Sequence, residues 1–354
     1  MRQAKPSLTD EVFTAARRYG MHAVGVAEAV PLTWEFERYE EYVAAGRYGD
    51  MTYVAANPAA RRDVSGDEIL PGARSVVVCA ISYARTEGAD EPTGPAGATI
   101  ARYARGLDYH GFFRRKLRLL AAWLRRRVPG SVARPMADTA PVLERAWAQR
   151  AGVGFIGKNG CVIVPGLGSF VLLGEIATTV PLTPTGSMAS RCGECRLCLD
   201  HCPTRAFDAP YVLEPRRCIS YLTIEHDGPI DPPFRESIGD RLFGCDDCQD
   251  VCPYNRAQAL PPAQTERFAL DKRWQAMDVG DIANLDDAAF IAATAATPLR
   301  RPRREGLVRN AAIVMGNSRE RRHLPVLQQL AARDGSPVVR DAAQWAVERI
   351  GRAG

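Results

Sequence analysis

The sequence predicts an α+β protein in three parts, and three observations carry that expectation. Short apolar runs of strand type alternate with helical periodicity over residues 1–185, which argues a mixed α/β or α+β domain. Eight cysteines crowd residues 192–252 at fixed spacings. Residues 275–354 are helical in pattern throughout and repeat themselves once. The expected division is therefore an N-terminal domain over 1–185, a cysteine module over 186–260 and a helical domain over 275–354.

The N-terminal part opens on an amphipathic helix entered near Ser7 and Thr9, residue types that cap helix starts. The runs at 75–81 (SVVVCAI), 161–164 and 170–173 are apolar and bounded by Gly or Pro, so they read as strands. A helix is expected around 113–124. Phe113, Leu117, Leu120 and Leu124 form its apolar face, and Arg114, Arg115, Lys116 and Arg118 lie off that face. Arg17-Arg18 resembles the start of an export signal, but glycines, a histidine and a glutamate interrupt the residues after it. No run of eighteen apolar residues exists, so no membrane span is expected. The expected compartment is the cytoplasm, where reduced thiols persist.

Gly152-Val-Gly154-Phe-Ile-Gly157 matches a dinucleotide-binding fingerprint. Through Lys158 the stretch also matches most of a phosphate loop, but Asn159 stands at the hydroxyl position. Such loops follow a strand and open a helix, so that the helix N-terminus faces the phosphates. Here a helix precedes and a strand comes after, which excludes nucleotide binding. A tight structural turn and a close approach to a bulky ligand both remain open. Tyr103, Asp108, Tyr109, His110 and Asp138 are the other polar candidates, with a helix cap as the alternative role for Asp138.

Cys192, Cys195, Cys198 and Cys202 follow C-x2-C-x2-C-x3-C, with Pro203 next. That is the ligand run of bacterial ferredoxins, which hold [4Fe-4S] clusters on thiolates. Cys245, Cys248 and Cys252 repeat its second half, with Pro253 next; Leu242 stands where the first cysteine of the repeat belongs, and Cys218 supplies the missing thiolate. In two-cluster ferredoxins the fourth cysteine of each run ligates the other cluster. Cluster one is therefore expected on Cys192, Cys195, Cys198 and Cys252, and cluster two on Cys202, Cys218, Cys245 and Cys248. Zinc would leave the C-x3-C-P endings unexplained. Disulfides suit secreted chains, and nothing here indicates secretion. Cys79 and Cys161 lie in strand-like segments and are not expected to be ligands.

Lys and Arg number 46 against 41 Asp and Glu, a net +5, so placement matters more than the total. Arg300, Arg301, Arg303 and Arg304 stand together, and Arg319, Arg321 and Arg322 lie a little further on. Clustered positive charge suits a polyanion through counterion release. Val308-Arg309-x-Ala311-Ala312 recurs as Val339-Arg340-x-Ala342-Ala343. Each copy is expected to begin an amphipathic helix, with an antiparallel partner from Pro325 between them. This is a HEAT-like helical repeat, an architecture that presents a surface to partners.

The segments RYARGLDYH (102–110), ADTAPVLERAWAQRAGVGFIGKNG (137–160), GSFVLLGEI (168–176) and CISYLTIEHDGPI (218–230), with the two cysteine runs, resemble the epoxyqueuosine reductases. The resemblance covers nearly the whole chain. It implies a nitroreductase-like, cobalamin-binding N-terminal domain similar to that of reductive dehalogenases, with the cobalamin lying against a two-cluster ferredoxin-like domain. It implies reduction of the epoxide of epoxyqueuosine, at the tRNA wobble position, to the alkene of queuosine. It places a proton donor at Asp138 and corrin contacts at Arg62, Ala101, Asp138, Asn159, Val162 and Leu173. Asp108-Tyr109-His110 begins like a D-x-H-x-x-G cobalt-ligand motif, but Phe113 replaces the glycine, so His110 is not expected to be an axial ligand. His226, Arg301, Arg303 and Arg304 are the expected tRNA contacts. The expected partners are a tRNA carrying epoxyqueuosine and an external donor of flavodoxin or ferredoxin type, with the chain a monomer.

Two other readings compete with this one. A small-molecule reductase related to dehalogenases would lack the helical repeat and the basic runs. A non-catalytic ferredoxin-type carrier would not need so large an N-terminal domain.

Overall fold

All eight residues of Ser75–Ser82 are buried, because both faces of this strand are covered by other elements. The structure, a computed structural model, describes residues 6–86, 91–256 and 260–352. Four strands form the main sheet: β1 (Ala23–Glu28), β2 (Ser75–Ser82), β3 (Ala133–Met136) and β4 (Val171–Thr178). Their order is β1-β2-β4-β3 and every neighbouring pair is antiparallel. Val77 faces Val26 on one side and Ile176 on the other, which centres β2.

Helices α1 (Leu8–Arg18) and α2 (Tyr109–Arg127) cover one face of the sheet. Ser7 and Asp10 form a reciprocal capping box that starts α1 where the sequence places it. Phe113, Leu117, Leu120 and Leu124 turn into the core as their spacing predicts. Gly174 on β4 allows that approach, since a Cβ there would meet Leu117 Cδ1 at 2.6 Å. Helix α3 (Glu144–Arg150) covers the other face through Trp147, which is fully buried. Two expected strands differ in extent. The one at 161–164 shrinks to Val162–Ile163, paired with Phe155–Ile156, and the one at 170–173 extends to Thr178.

The cysteine module contains little regular structure. Single helical turns, Leu197–Asp200 and Asp247–Asp250, accompany the two C-x2-C pairs. The strand Arg241–Phe243 pairs in parallel with Thr99–Ile100 and fastens the module to the N-terminal part. Leu242 is fully buried in that strand, so its position serves the core.

The C-terminal part is built on α4 (Arg303–Ser318), α5 (Leu324–Arg333) and α6 (Pro337–Gly351), with α6 packed on both others. The echoed residues Val308, Ala311 and Ala312 and Val339, Ala342 and Ala343 are all buried, so the echo is a shared packing face. One detail differs from the sequence expectation: α4 begins at Arg303, so Val308 lies in its second turn. The core around α4 also takes in Ile219, Leu222, Ile238 and Phe243 of the cysteine module.

Candidate functional site

Asp138 stands in the left-handed region at φ 53°, a conformation that costs an ordinary residue energy unless its surroundings hold it. Glu144, in the first turn of α3, accepts the Asp138 backbone N–H at 2.5 Å. Asp138 Oδ2 lies 2.5 Å from His110 Nε2, and His110 Nδ1 lies 2.5 Å from Asp108 Oδ1. Asp108 also caps α2 by accepting the His110 N–H at 2.9 Å. A carboxylate–imidazole–carboxylate chain therefore opens α2. The cap belongs to Asp108; Asp138 caps no helix, since α3 starts after Leu143 without a side-chain cap. His110 is raised to about 9 by its hydrogen bonds to Asp108 and then Asp138, so it is protonated at neutral pH. Both its ring nitrogens are engaged.

Tyrosines surround this chain. Tyr109 stacks on the His110 ring at 4.2 Å between centroids, and Tyr103 lies edge-on to Tyr109 at 6.1 Å. Burial and the nearby Glu225 and Asp138 push Tyr103 and Tyr53 upward, which keeps both hydroxyls protonated donors. Arg301 covers the exposed Tyr53 ring at 5.2 Å while its guanidinium clamps Glu225 at 2.8 Å. Arg301 thus sits at the mouth of the same site.

Beneath Asp138 lies a feature that sequence reasoning misses. Glu175 on β4 is fully buried, and neither carboxylate oxygen has a partner among the described residues. Burial and then the Glu144 charge push it far upward, which makes it a neutral acid. Its only signal is an acid inside the apolar run GSFVLLGEI.

None of the ten cysteines forms a disulfide. Cys192, Cys195, Cys198 and Cys252 line one cavity together with Lys158, Leu197 and Tyr254. Burial, then Cys192, Cys252 and Cys195, push Cys198 up to about 11. Cys218 feels Cys202, Cys245 feels Cys218, and Cys248 feels Cys218 and Cys245, so these four form a second group. Backbone N–H groups point at the thiols, as Ala206 N does to Cys202 Sγ at 3.3 Å. Among the described residues no three His, Cys, Asp or Glu side chains gather on a single-ion site. The C-x2-C-x2-C-x3-C-P spacing fits a cubane, in which each thiolate takes its own iron, better than one tetrahedral ion. Cys161 lies against Cys248, closer to the second group than its strand position suggests.

Asn159 joins the two halves. Its Nδ2 donates to Cys248 O at 3.3 Å and its Oδ1 accepts from Cys161 N at 3.1 Å. Val162 and Leu173 share one apolar cluster, at whose edge Leu143 and Ile156 are also half-buried. Ala101 packs against Gly244 and precedes Arg102, whose N–H donates to Asp246 at 2.8 Å. Val162, Leu173 and Asn159 are the apolar and amide side chains that could hold a large flat cofactor beside the second thiol group. Arg62 is exposed and stacks on Phe36 at 5.9 Å; none of its hydrogen bonds or ring contacts reaches the other four.

Of the expected tRNA contacts, His226 is held by Asp50 at 2.7 Å and Arg303 meets Asp227 at 3.1 Å on the surface. Arg304 turns inward, with Asp334 at 2.6 Å and Leu285 O at 2.6 Å. Among the described residues no helix is long and apolar enough to cross a membrane.

The chain matches known proteins along most of its length. A family model described as a 4Fe-4S double cluster binding domain covers residues 191–255. A model described as epoxyqueuosine reductase QueG covers residues 64–139. The epoxyqueuosine reductase of Pseudomonas aeruginosa is 39% identical over 95% of this chain and 92% of that protein. That of Xanthomonas campestris is 37% identical over 98% of each. A crystal structure of an epoxyqueuosine reductase with an epoxyqueuosine-modified tRNA-Tyr stem loop superposes with a TM-score of 0.88 at 30% identity, covering 97% of this chain and 90% of the other. A Bacillus subtilis epoxyqueuosine reductase, solved with an aspartate catalytic loop swung out of its active site, matches with the same score, identity and coverage.

Proposed function

This chain belongs to the epoxyqueuosine reductase family, oxidoreductases of tRNA queuosine biosynthesis, and from that premise we propose that it reduces epoxyqueuosine to queuosine at the tRNA wobble position with Asp138 as proton donor. The reaction takes up two electrons and two protons, breaks both C–O bonds of the epoxide, forms the alkene and releases water. Iron–sulfur clusters carry electrons singly, and the two thiol groups are read as cluster one (Cys192, Cys195, Cys198, Cys252) and cluster two (Cys202, Cys218, Cys245, Cys248). Cobalamin, when bound, supplies a cobalt centre that gathers single electrons and delivers them as a pair. Val162, Leu173, Asn159 and Ala101 would hold it between the N-terminal domain and cluster two, with Arg62 as an outlying contact.

This chain's own residues handle the proton. His110, charged at neutral pH, holds a proton 2.5 Å from Asp138. That proton passes from His110 through the Asp138 carboxyl to the leaving oxygen, and His110 is reprotonated from solvent together with the second proton the reaction needs. Glu144 acts as the catch that keeps Asp138 turned inward, through the hydrogen bond from the Asp138 N–H. A relative's aspartate loop has been seen swung out, and release of this bond would permit the same movement here. The bound base would exclude water from Asp138, whose side chain is 47% exposed without it. A base reaches such a pocket by leaving its stack, which an anticodon loop permits.

His226, Arg301 and Arg303 are read as the tRNA side of the site, with Arg304, held inward by Asp334, supporting the HEAT-like C-terminal helices behind them. The electron donor is read as a flavodoxin or ferredoxin, and the working form as a cytoplasmic monomer. The observation that carries the proposal is the Asp108–His110–Asp138 chain, with Asp138 held by Glu144. Reconstituted enzyme, reductant and tRNA carrying epoxyqueuosine, followed by nucleoside mass spectrometry, tests it. Queuosine should form; unchanged epoxyqueuosine with both clusters and cobalamin loaded would overturn it.

A further inference from the structure

Helix α2 carries seven basic residues and no acid, more positive charge than the net +5 of the whole chain. The nearest acids in sequence, Asp108 and Asp138, both bind His110. Successive residues of a helix turn by about 100°. Arg115, Arg118, Leu119, Ala122, Arg125 and Arg126 therefore fall on one side, opposite the buried Phe113, Leu117, Leu120 and Leu124. Arg125 donates to Ala133 O, and Arg127, at the edge, is paired with Glu11. Arg115, Arg118 and Arg126 are exposed and have no hydrogen-bond or ion-pair partner among the described residues. Arg301, Arg303 and Arg304 differ, each facing a carboxylate of its own. Three uncompensated arginines thus stand in a row on α2.

That face also begins at the reaction site. Arg114 donates to Thr139, the neighbour of Asp138. From Arg115 to Arg126 the stripe runs about 16 Å along the helix axis. Lys116 Nζ donates to Tyr19 O at 2.7 Å, which sets the end of α1, with exposed Arg17 and Arg18, against the same helix.

We propose that the outer face of α2 is a second RNA-binding surface, taking phosphates of the tRNA stem while the modified base sits at Asp138. This rests on the tRNA reading of the site. Exposed guanidinium groups in a row suit phosphate oxygens, and the gain comes from released counterions. Contacts of this kind position an RNA without reading its sequence.

The test is the triple variant Arg115→Glu/Arg118→Glu/Arg126→Glu, with the corresponding Gln triple as the milder form. Binding of unmodified full-length tRNA by fluorescence anisotropy across a potassium chloride series gives the readout. The Glu triple should lose tenfold or more in affinity, and its slope of log K against log salt should flatten by about 2 to 3. The Gln triple should fall between it and the parent. Iron content and the rate at saturating tRNA should not change. Equal affinity and slope in all three proteins overturn the inference. Unchanged tRNA binding with slower reduction by an acidic flavodoxin also overturns it and gives the face to the electron donor. A parent protein that makes no queuosine sinks the functional reading instead, whatever the variants do.

Discussion

His110 Nε2 stands 2.5 Å from Asp138 Oδ2, and the other ring nitrogen stands 2.5 Å from Asp108. An imidazole between two carboxylates keeps its proton, which places a charged donor behind Asp138.

That placement makes the enzyme sensitive to pH. His110 is raised from 6.5 to about 9, chiefly by Asp108 and then Asp138. Its charge therefore stabilises this corner fully below pH 6.5, and that contribution is lost as pH rises through about 9. The rate with tRNA should fall above about pH 9. His110→Gln should lower the rate tenfold or more at pH 7 and remove that alkaline limb, with tRNA affinity retained. A pH–rate profile with the same limb in both proteins would take His110 out of proton delivery.

The cluster assignment is tested at Cys218. It stands at the N-terminus of Ile219–Ile224, beside Cys202 and Cys245, while Leu242 is core. Cys218→Ala should damage cluster two and leave cluster one, halving the iron and removing one paramagnetic signal of the reduced protein. Full iron with two unchanged signals would refute the pairing.

Arg309 ties the cysteine module to the helices. It is fully buried and donates to the carbonyls of His226 and Gly228 at 2.7 Å and of Leu222 at 2.6 Å. Burial pulls it down to about 10, so it stays charged at neutral pH. Arg309→Met strands those carbonyls and should cost about 3 kcal/mol. Urea unfolding should show it, and an unchanged midpoint would contradict it.

The C-terminal arginines should not behave alike. Arg301→Ala and Arg303→Ala should weaken tRNA binding severalfold at low salt and leave the fold intact. Arg304→Ala should instead lower stability by about 2 kcal/mol, because Asp334 then remains buried without its cation. Equal stability of all three variants would show that the inward turn of Arg304 has no energetic role.

Much of this is legible in the sequence for identifiable reasons. Thiolate spacing is a local code, so the chain alone assigns both cysteine groups. The apolar faces of α2 and β2 follow from periodicity and composition alone. The relay is not legible, although Asp108, His110 and Asp138 each stand out as polar candidates. Nothing in the sequence says that the start of α2 meets the loop before α3. Glu144 escapes notice because its role is a contact with a backbone N–H, and Glu175 because one acid in an apolar strand does not reveal a partner. The ion pairs of Arg301, Arg303 and Arg304 are equally invisible, since Glu225, Asp227 and Asp334 are remote or unremarkable in sequence.

The central claim is that Asp138 gives a proton to the epoxide oxygen, and single-turnover reduction of epoxyqueuosine tRNA by Asp138→Asn tests it most directly. The variant should bind tRNA and cobalamin and hold full iron, since an amide preserves the shape, yet its rate should fall at least a hundredfold. A rate within a few-fold of the parent, with the cofactors loaded, would contradict the account.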